Sequence, residues 1–172
     1  MTSRRYKMTS QGTQMTSPFM NEIKIYTDGA ARGNPGAGGY GVLLLSGNHR
    51  KELSKGYRLT TNNRMELMAV IAGLLAIKKK ALPVTIYSDS QYVVNATNKG
   101  WLNNWIRTDF KGGKKNKDLW LLYYDLSKSF KITFVWVKGH ADNVLNNRCD
   151  ELATMAAAGK NLDLDVGYEE GL

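Results

Sequence analysis

Four carboxylates stand where strands and helices of this chain are expected to start or stop. Asp28 closes the apolar strand "EIKIYTD", Glu66 lies in the first turn of the helix "NRMELMAVIAGLLAIKK", Asp89 closes the strand "PVTIYSD", and Asp150 opens the helix "NNRCDELATMAAAG". Two carboxylates at the ends of neighbouring parallel strands would sit within a few ångströms of each other, because strands lie about 4.8 Å apart. Gathered without cations, such anions repel one another and their pKa values rise, so a divalent metal is their natural partner. Each acid also has an ordinary structural use: Glu66 could close a capping box with Asn63, Asp89 could cap a helix beginning at Ser90, Asp150 could favour a helix N-terminus, and Asp28 could serve a turn. The company of all four, rather than any one of them, points to metal-dependent chemistry.

The elements that must position these acids follow from periodicity. "EIKIYTD" alternates Ile23, Ile25 and Thr27 with Lys24, Tyr26 and Asp28, the pattern of a half-buried strand. A long glycine-rich loop from Gly29 to Gly39 follows, and then "YGVLLL" and "KELSKGYRL" form a hairpin across "SGNHR". The first long helix places Leu67, Ile71 and Leu74 or Leu75 at helical spacing, and the step from it into "PVTIYSD" fits a parallel crossover. "SQYVVNATNKG" predicts a short helix stopped by Gly100, "DLWLLYYDLSK" another helix, "KITFVWVKG" a final strand and "NNRCDELATMAAAG" a final helix. An antiparallel start followed by alternating strands and helices predicts an α/β fold, a mixed sheet covered by helices. Trp120 and Trp136 fall on regular elements among Leu, Tyr and Ile and are expected in the core, and Arg64 is expected to be structural.

A chain of 172 residues has room for one sizeable core. No apolar run reaches the roughly 18 to 20 residues of a membrane helix. Residues 1–20 repeat Met-Thr-Ser, carry Arg4, Arg5 and Lys7 without an acid, and are expected to form a disordered arm, with Met20 a second candidate start. A domain is expected over 21–160. Residues 161–172, with Asp163, Asp165, Glu169 and Glu170, are expected to form a solvated acidic tail. The lone Cys149 shares a helical face with Leu152, Ala153 and Ala156 and is expected to pack in the core. The formal charge is +9, which suits a protein that meets nucleic acid. Much of it is concentrated between positions 99 and 117, where Lys99, Arg107, Lys111, Lys114, Lys115 and Lys117 face one acid, Asp109, and are interleaved with Trp101, Trp105 and Phe110. Cations for phosphates beside planar rings for sugars or bases explain this segment better than a solvated loop does.

The segments "YTDGAARGNPGAGGYG", "TTNNRMELMAVI", "SDSQYV", "WVKGHA" and "NRCDELA", in this order and spacing, resemble those of the bacterial type 1 ribonuclease H family. The resemblance runs from about Glu22 to Ala158 and includes the basic protrusion at about 99–117 found in one branch of the family. It implies a five-stranded mixed sheet in the order 3-2-1-4-5, with the first three strands antiparallel and helices on both faces. It also implies endonucleolytic hydrolysis of the RNA strand of RNA/DNA hybrids, leaving 3′-hydroxyl and 5′-phosphate ends. Asp28, Glu66, Asp89 and Asp150 would hold two Mg²⁺ ions, for which Mn²⁺ can substitute, roughly 4 Å apart across an attacking and a leaving oxygen. His140 in "KGHADN" would be the family's mobile histidine, assisting proton transfer or product release. Asn34, Asn62 and Gln91 would contact the RNA strand. Thr61 and Asn63 would hold a DNA phosphate, and Trp101 and Trp105 would line the DNA channel, with Lys111, Lys114, Lys115 and Lys117 on the protrusion. The resemblance further implies a cytoplasmic monomer that acts on the hybrid away from membranes.

The chain departs from the family pattern at Asn147, where an acid commonly precedes the final aspartate by three residues, so a shifted metal or pH optimum is expected. Gly112 and Gly113 beside the protrusion's lysines predict a more mobile loop than usual. Two other functions use the same features: a hybrid-binding module without catalysis, and a DNA recombination nuclease of the same superfold. The full set of acids argues against the first, and "TTNNRMEL" with "DSQYV" against the second.

Overall fold

The computed structural model describes residues 22–139 and 143–171. Three antiparallel strands come first: β1 (Ile23–Arg32), β2 (Gly36–Ser46) and β3 (His49–Thr60). They are followed by α1 (Asn62–Leu75), β4 (Val84–Ser88), α2 (Gln91–Asn98), α3 (Trp101–Arg107), α4 (Lys117–Ser127), β5 (Ile132–Trp136), α5 (Val144–Ala157) and the short α6 (Val166–Glu169). The sheet has the expected order, β3-β2-β1-β4-β5, with β4 parallel to both β1 and β5. Among the described residues no helix is long and apolar enough to cross a membrane.

Alternation along the central strand separates two cores. Ile25 and Val42 face α1 and α4 with Leu67, Val70, Leu74 and Trp120, whereas Tyr26 and Leu43 face α5 around Cys149. The predicted half-buried strand is therefore covered on both faces, and Tyr26 and Asp28 are buried beside their alternating neighbours. A strand between two helix layers has no solvent face to keep polar. Cys149 packs in the core as expected, and burial, with the nearby Asp28 charge, pushes its thiol up to about 12.

The glycine-rich stretch is not a long loop. β1 runs to Arg32 and β2 starts at Gly36, which leaves a turn of three residues, with Gly33 at φ 72° and a cis Asn34-Pro35 bond. Five of the six glycines from Gly29 to Gly41 lie inside strands, and helix backbone presses on three of them, Gly29, Gly39 and Gly41. A Cβ on Gly41 would strike the Cys149 carbonyl and lie 2.7 Å from Leu152 Cβ, and one on Gly39 would come 2.8 Å from Ala157 N. On the other face a Cβ on Gly29 would collide with the backbone of Met65 and Glu66. These positions hold α5 and α1 closer to the sheet than a side chain would permit.

Helix starts differ from expectation by one or two residues, as local capping dictates, and α1 ends four residues early. Thr61 caps α1, its Oγ1 accepting from Arg64 N at 3.3 Å, so Glu66 lies in the second turn and makes no capping box. Ser90 caps α2 in place of Asp89, and Asn143 caps α5, which puts Asp150 near its middle. Trp120 is fully buried as expected, but Trp136, at the end of edge strand β5, is 46 % exposed.

The C-terminal segment is docked, not solvated. Asp163 bridges to Tyr57 on the free edge of β3, and the Asp165 side chain, 2 % exposed, accepts from Arg64 Nε at 2.8 Å and Thr60 Oγ1 at 2.7 Å. Arg64 also grips Asp118 with both terminal nitrogens, at 2.9 and 2.7 Å. The structural role expected for Arg64 is thus to join α1, α4 and the C-terminal segment. Residues 1–20 lie outside the described residues.

Gly41→Ala must displace backbone rather than a flexible side chain. It is expected to destabilise the fold by about 2 kcal/mol and lower the melting temperature by several degrees, as thermal denaturation would show. An unchanged melting temperature would mean that α5 is not held by this contact.

Candidate active site and substrate groove

The strand register brings the acids together. Thr27 pairs with Ser88 across the parallel β1–β4 ladder, so Asp28 and Asp89, each one residue further on, emerge side by side. Glu66 arrives from α1 over Gly29, and Asp150 from α5 one residue beyond Cys149, whose carbonyl rests on Gly41, the antiparallel partner of Asp28. Carboxylate oxygens of Asp28, Glu66 and Asp89 all lie within 4.8 Å of one another. Asp150 joins them around a cavity of about 410 Å³, also lined by Asn62, Asn63 and Gln91. The structure thus assembles all four sequence-predicted acids. His140 lies outside the described residues.

A second cavity of about 810 Å³ adjoins the first, and Asn63 and Tyr92 line both. Thr61, Trp101, Trp105, Lys114, Lys115 and Lys117 line this groove, so the residues predicted for the DNA strand share one channel. Lys111, the remaining lysine of the predicted protrusion, does not line it; its exposed side chain follows the buried Phe110. The ring of Trp101 is 40 % exposed, whereas Trp105 is buried between Tyr92, Phe110 and Trp120 and carries Lys114 Nζ over its ring at 5.8 Å. Gly112 and Gly113, at φ 80° and 75°, turn the chain so that the lysines reach the groove. Asn34 and Asn62 form a relay: Asn62 N donates to Asn34 Oδ1 at 3.1 Å, and Ala31 N donates to Asn62 Oδ1 at 2.6 Å. This fixes the Asn62 amide beside the acids and leaves its NH₂ group for a ligand. Asn34 itself lines the larger groove, away from the acid cavity.

Three groove residues escaped the sequence analysis. The Tyr92 hydroxyl accepts from Trp120 Nε1 at 2.7 Å and Asn116 Nδ2 at 3.1 Å, making the ridge between the two cavities rigid. Asn116 holds a left-handed backbone, φ 65°, at the start of α4. Tyr92 stands within "SDSQYV", which offered a signal, whereas the third, Tyr168, sits in the acidic stretch expected to be solvated. The exposed Trp136 belongs near the acids as well, its Nε1 donating to the Asp89 carbonyl at 3.2 Å.

Charge is the dominant feature of the smaller cavity. Burial, and then the Asp89 charge, push the Asp28 carboxyl up to about 7, against the opposing hydrogen bond from Gly29 N at 2.9 Å. Burial, and then Asp28 and Asp89, raise Glu66 well above the usual carboxylate range, and its buried Oε2 has no hydrogen-bond partner. Buried, mutually repelling, all-oxygen and incompletely bonded, this donor set fits a hard divalent cation. Without one, the folded protein holds the Asp28 proton more tightly than the unfolded chain does, so stability falls as pH rises from about 4 to about 7. Asp28→Asn removes that cost. It is expected to stabilise the metal-free protein by about 2 to 4 kcal/mol at pH 8, with the gain vanishing toward pH 4, as chelator-treated melting curves would show. A gain independent of pH would contradict the repulsion.

Comparison with known proteins agrees with this geometry. The RNase H family model matches residues 20–158. A ribonuclease H from Syntrophus aciditrophicus is 56 % identical over 151 residues, covering 86 % of this chain and 87 % of that protein. A ribonuclease HI from Haemophilus ducreyi is 49 % identical over 154 residues, covering 87 % and 99 %. Among solved structures, LC9-RNase H1, a type 1 RNase H with the type 2 active-site motif, superposes with a TM-score of 0.70 at 28 % identity, covering 88 % of this chain and 81 % of that one. LC11-RNase H1 in complex with an RNA/DNA hybrid gives 0.61 at 26 %, covering 80 % and 97 %. A family match over residues 20–158, joined to half-identical relatives of nearly equal length, means that the chain belongs to the ribonuclease H family.

Proposed function

We propose that the protein is an endoribonuclease that hydrolyses the RNA strand of RNA/DNA hybrids, leaving 3′-hydroxyl and 5′-phosphate ends. The observation that carries this is the acid cavity set directly against a basic, aromatic groove, with Asn63 and Tyr92 between them. A double-stranded ligand can then place one strand on the acids and the other in the groove. Relatives that bear the name ribonuclease H, and the hybrid bound to LC11-RNase H1, agree with it.

Asp28, Glu66, Asp89 and Asp150 would hold Mg²⁺, two ions when substrate is bound, with Mn²⁺ a substitute. Such ions supply charge neutralisation for the scissile phosphate and lower the pKa of an attacking water. The remaining work falls to the chain's own groups. Asn62, fixed by Ala31 N and joined to Asn34, would meet the RNA backbone together with Gln91, which lines the same cavity from the first turn of α2. These neutral groups suit 2′-hydroxyls, which both donate and accept. Thr61 and Asn63 at the start of α1 would take a DNA phosphate, while Trp101 and Trp105 would line the DNA channel, the exposed Trp101 offering a flat surface to sugars that lack the hydroxyl. His140 would move a proton near the leaving oxygen or help release product. We place the enzyme in the cytoplasm as a monomer.

The experiment is cleavage of a 5′-labelled RNA/DNA hybrid against duplex DNA and duplex RNA, with Mg²⁺ and with chelator. Hybrid-selective, metal-dependent cleavage that Asp28→Asn abolishes without abolishing hybrid binding is expected. Equal cleavage of duplex DNA would favour a recombination nuclease, and binding without cleavage would favour a non-catalytic module. Neutralising Lys114, Lys115 and Lys117 together is expected to weaken hybrid binding at low salt and flatten its salt dependence by up to about three phosphate contacts. An unaltered slope would remove these lysines from the interface.

A further inference from the structure

We infer that the docked C-terminal segment is a wall of the substrate groove and that Tyr168 contacts the DNA strand there. This rests on the hybrid-cleaving function above and extends it to residues outside the 20–158 match of the family model. Gly167, Tyr168 and Gly171 line the same groove as Trp101, Lys114 and Thr61. Aromatic surface therefore lies on the C-terminal wall as well as on α3, with cations and neutral donors between.

The wall is built, not draped. Asp163 N donates to the Gly56 carbonyl and Arg58 N to the Asp163 carbonyl, both at 2.9 Å, which extends the edge of β3. Asp165 then caps α6, its Oδ1 accepting from Tyr168 N at 3.3 Å while it also binds Arg64 NH2 at 3.0 Å. A Cβ on Gly167 would strike Asp118 Oδ2 and come 2.5 Å from Arg64 NH2, so the backbone just before Tyr168 rests on the buried ion pair. Tyr168 is thereby tied through Arg64 to the α1 N-terminus, which carries Thr61 and Asn63.

An acidic wall beside a phosphate strand would repel it unless its charges were spent. Three of the four are paired, Asp163 with Lys55 at 2.8 Å, Glu169 with Arg58 at 3.0 Å and Asp165 with the Arg64 that it shares with Asp118, and the fourth, the exposed Glu170, does not line the groove. What the wall offers the groove is a glycine backbone and a half-buried aromatic ring. That is a surface for a sugar or base face, complementary to the lysines opposite.

The test is steady-state cleavage of the hybrid by Tyr168→Ala, Tyr168→Leu and Tyr168→Phe, with melting temperatures recorded in parallel. Loss of one stacking surface is expected to raise KM roughly five-fold in Tyr168→Ala and Tyr168→Leu with kcat within a factor of two, and Tyr168→Phe should restore KM. Tyr168→Leu retains the packing and decides the matter if Tyr168→Ala does not fold. An unchanged KM in Tyr168→Leu, or a lowered kcat at unchanged KM, would overturn the inference. Absence of hybrid cleavage by the unaltered protein would instead overturn the function on which it rests.

Discussion

The contact between Gly41 and the backbone of α5 is the constraint on which the site depends. Gly41 pairs with Asp28 across β1 and β2, and the Cys149 carbonyl rests where its side chain would be. Asp150 follows Cys149, so the distance between helix and sheet sets the distance between Asp150 and Asp28. Gly29 does the same for α1 and Glu66. Four acids from four elements meet because two helices are allowed to touch strand backbone, a closeness that interior packing then makes rigid.

That closeness stores repulsion. Asp28 and Glu66 are both buried, the Asp89 charge makes ionisation of Asp28 harder, and the Asp28 and Asp89 charges do the same to Glu66. The neighbouring groove has the opposite character, with lysines from the 113–117 turn on one side. On the other side Asp163, Glu169 and Asp165 of the C-terminal segment are paired with Lys55, Arg58 and Arg64. The surface thus offers a phosphate backbone two different partners: anions that act through a cation, and cations that bind directly. Arg64, buried under both walls, ties the two channels to one scaffold.

Much of this was legible in the sequence. The two periodicities gave the order of all five strands and of the helices α1, α2, α4 and α5, but not the short α3 in the basic segment or α6 in the acidic one, and the resemblance supplied the sheet order and the acid set. Helix starts were misjudged by a residue or two because Thr61, Ser90 and Asn143 offer oxygens to the third amide beyond them, a choice of capping partner that periodicity does not reveal. The glycines were taken for a loop because glycine marks turns and close approach alike, and only the position of α5 separates the two. The C-terminal segment was misread for the same kind of reason. Its acids resemble a solvated tail until Lys55, Arg58 and Arg64, about a hundred positions earlier, prove to be the partners of Asp163, Glu169 and Asp165. Trp136 looked like core from its neighbours, but β5 lies at the edge of the sheet and its last residue is open to solvent.

The central claim is that the acid cluster is electrostatically incomplete without a divalent cation. Carbon-detected NMR titration of the Asp and Glu side-chain carboxyls, with and without Mg²⁺, tests it most directly. The account predicts that in the metal-free protein Asp28 titrates near pH 7 and Glu66 well above the ordinary carboxylate range, and that Mg²⁺ brings both down. Ordinary values for both residues, unmoved by Mg²⁺, would contradict it.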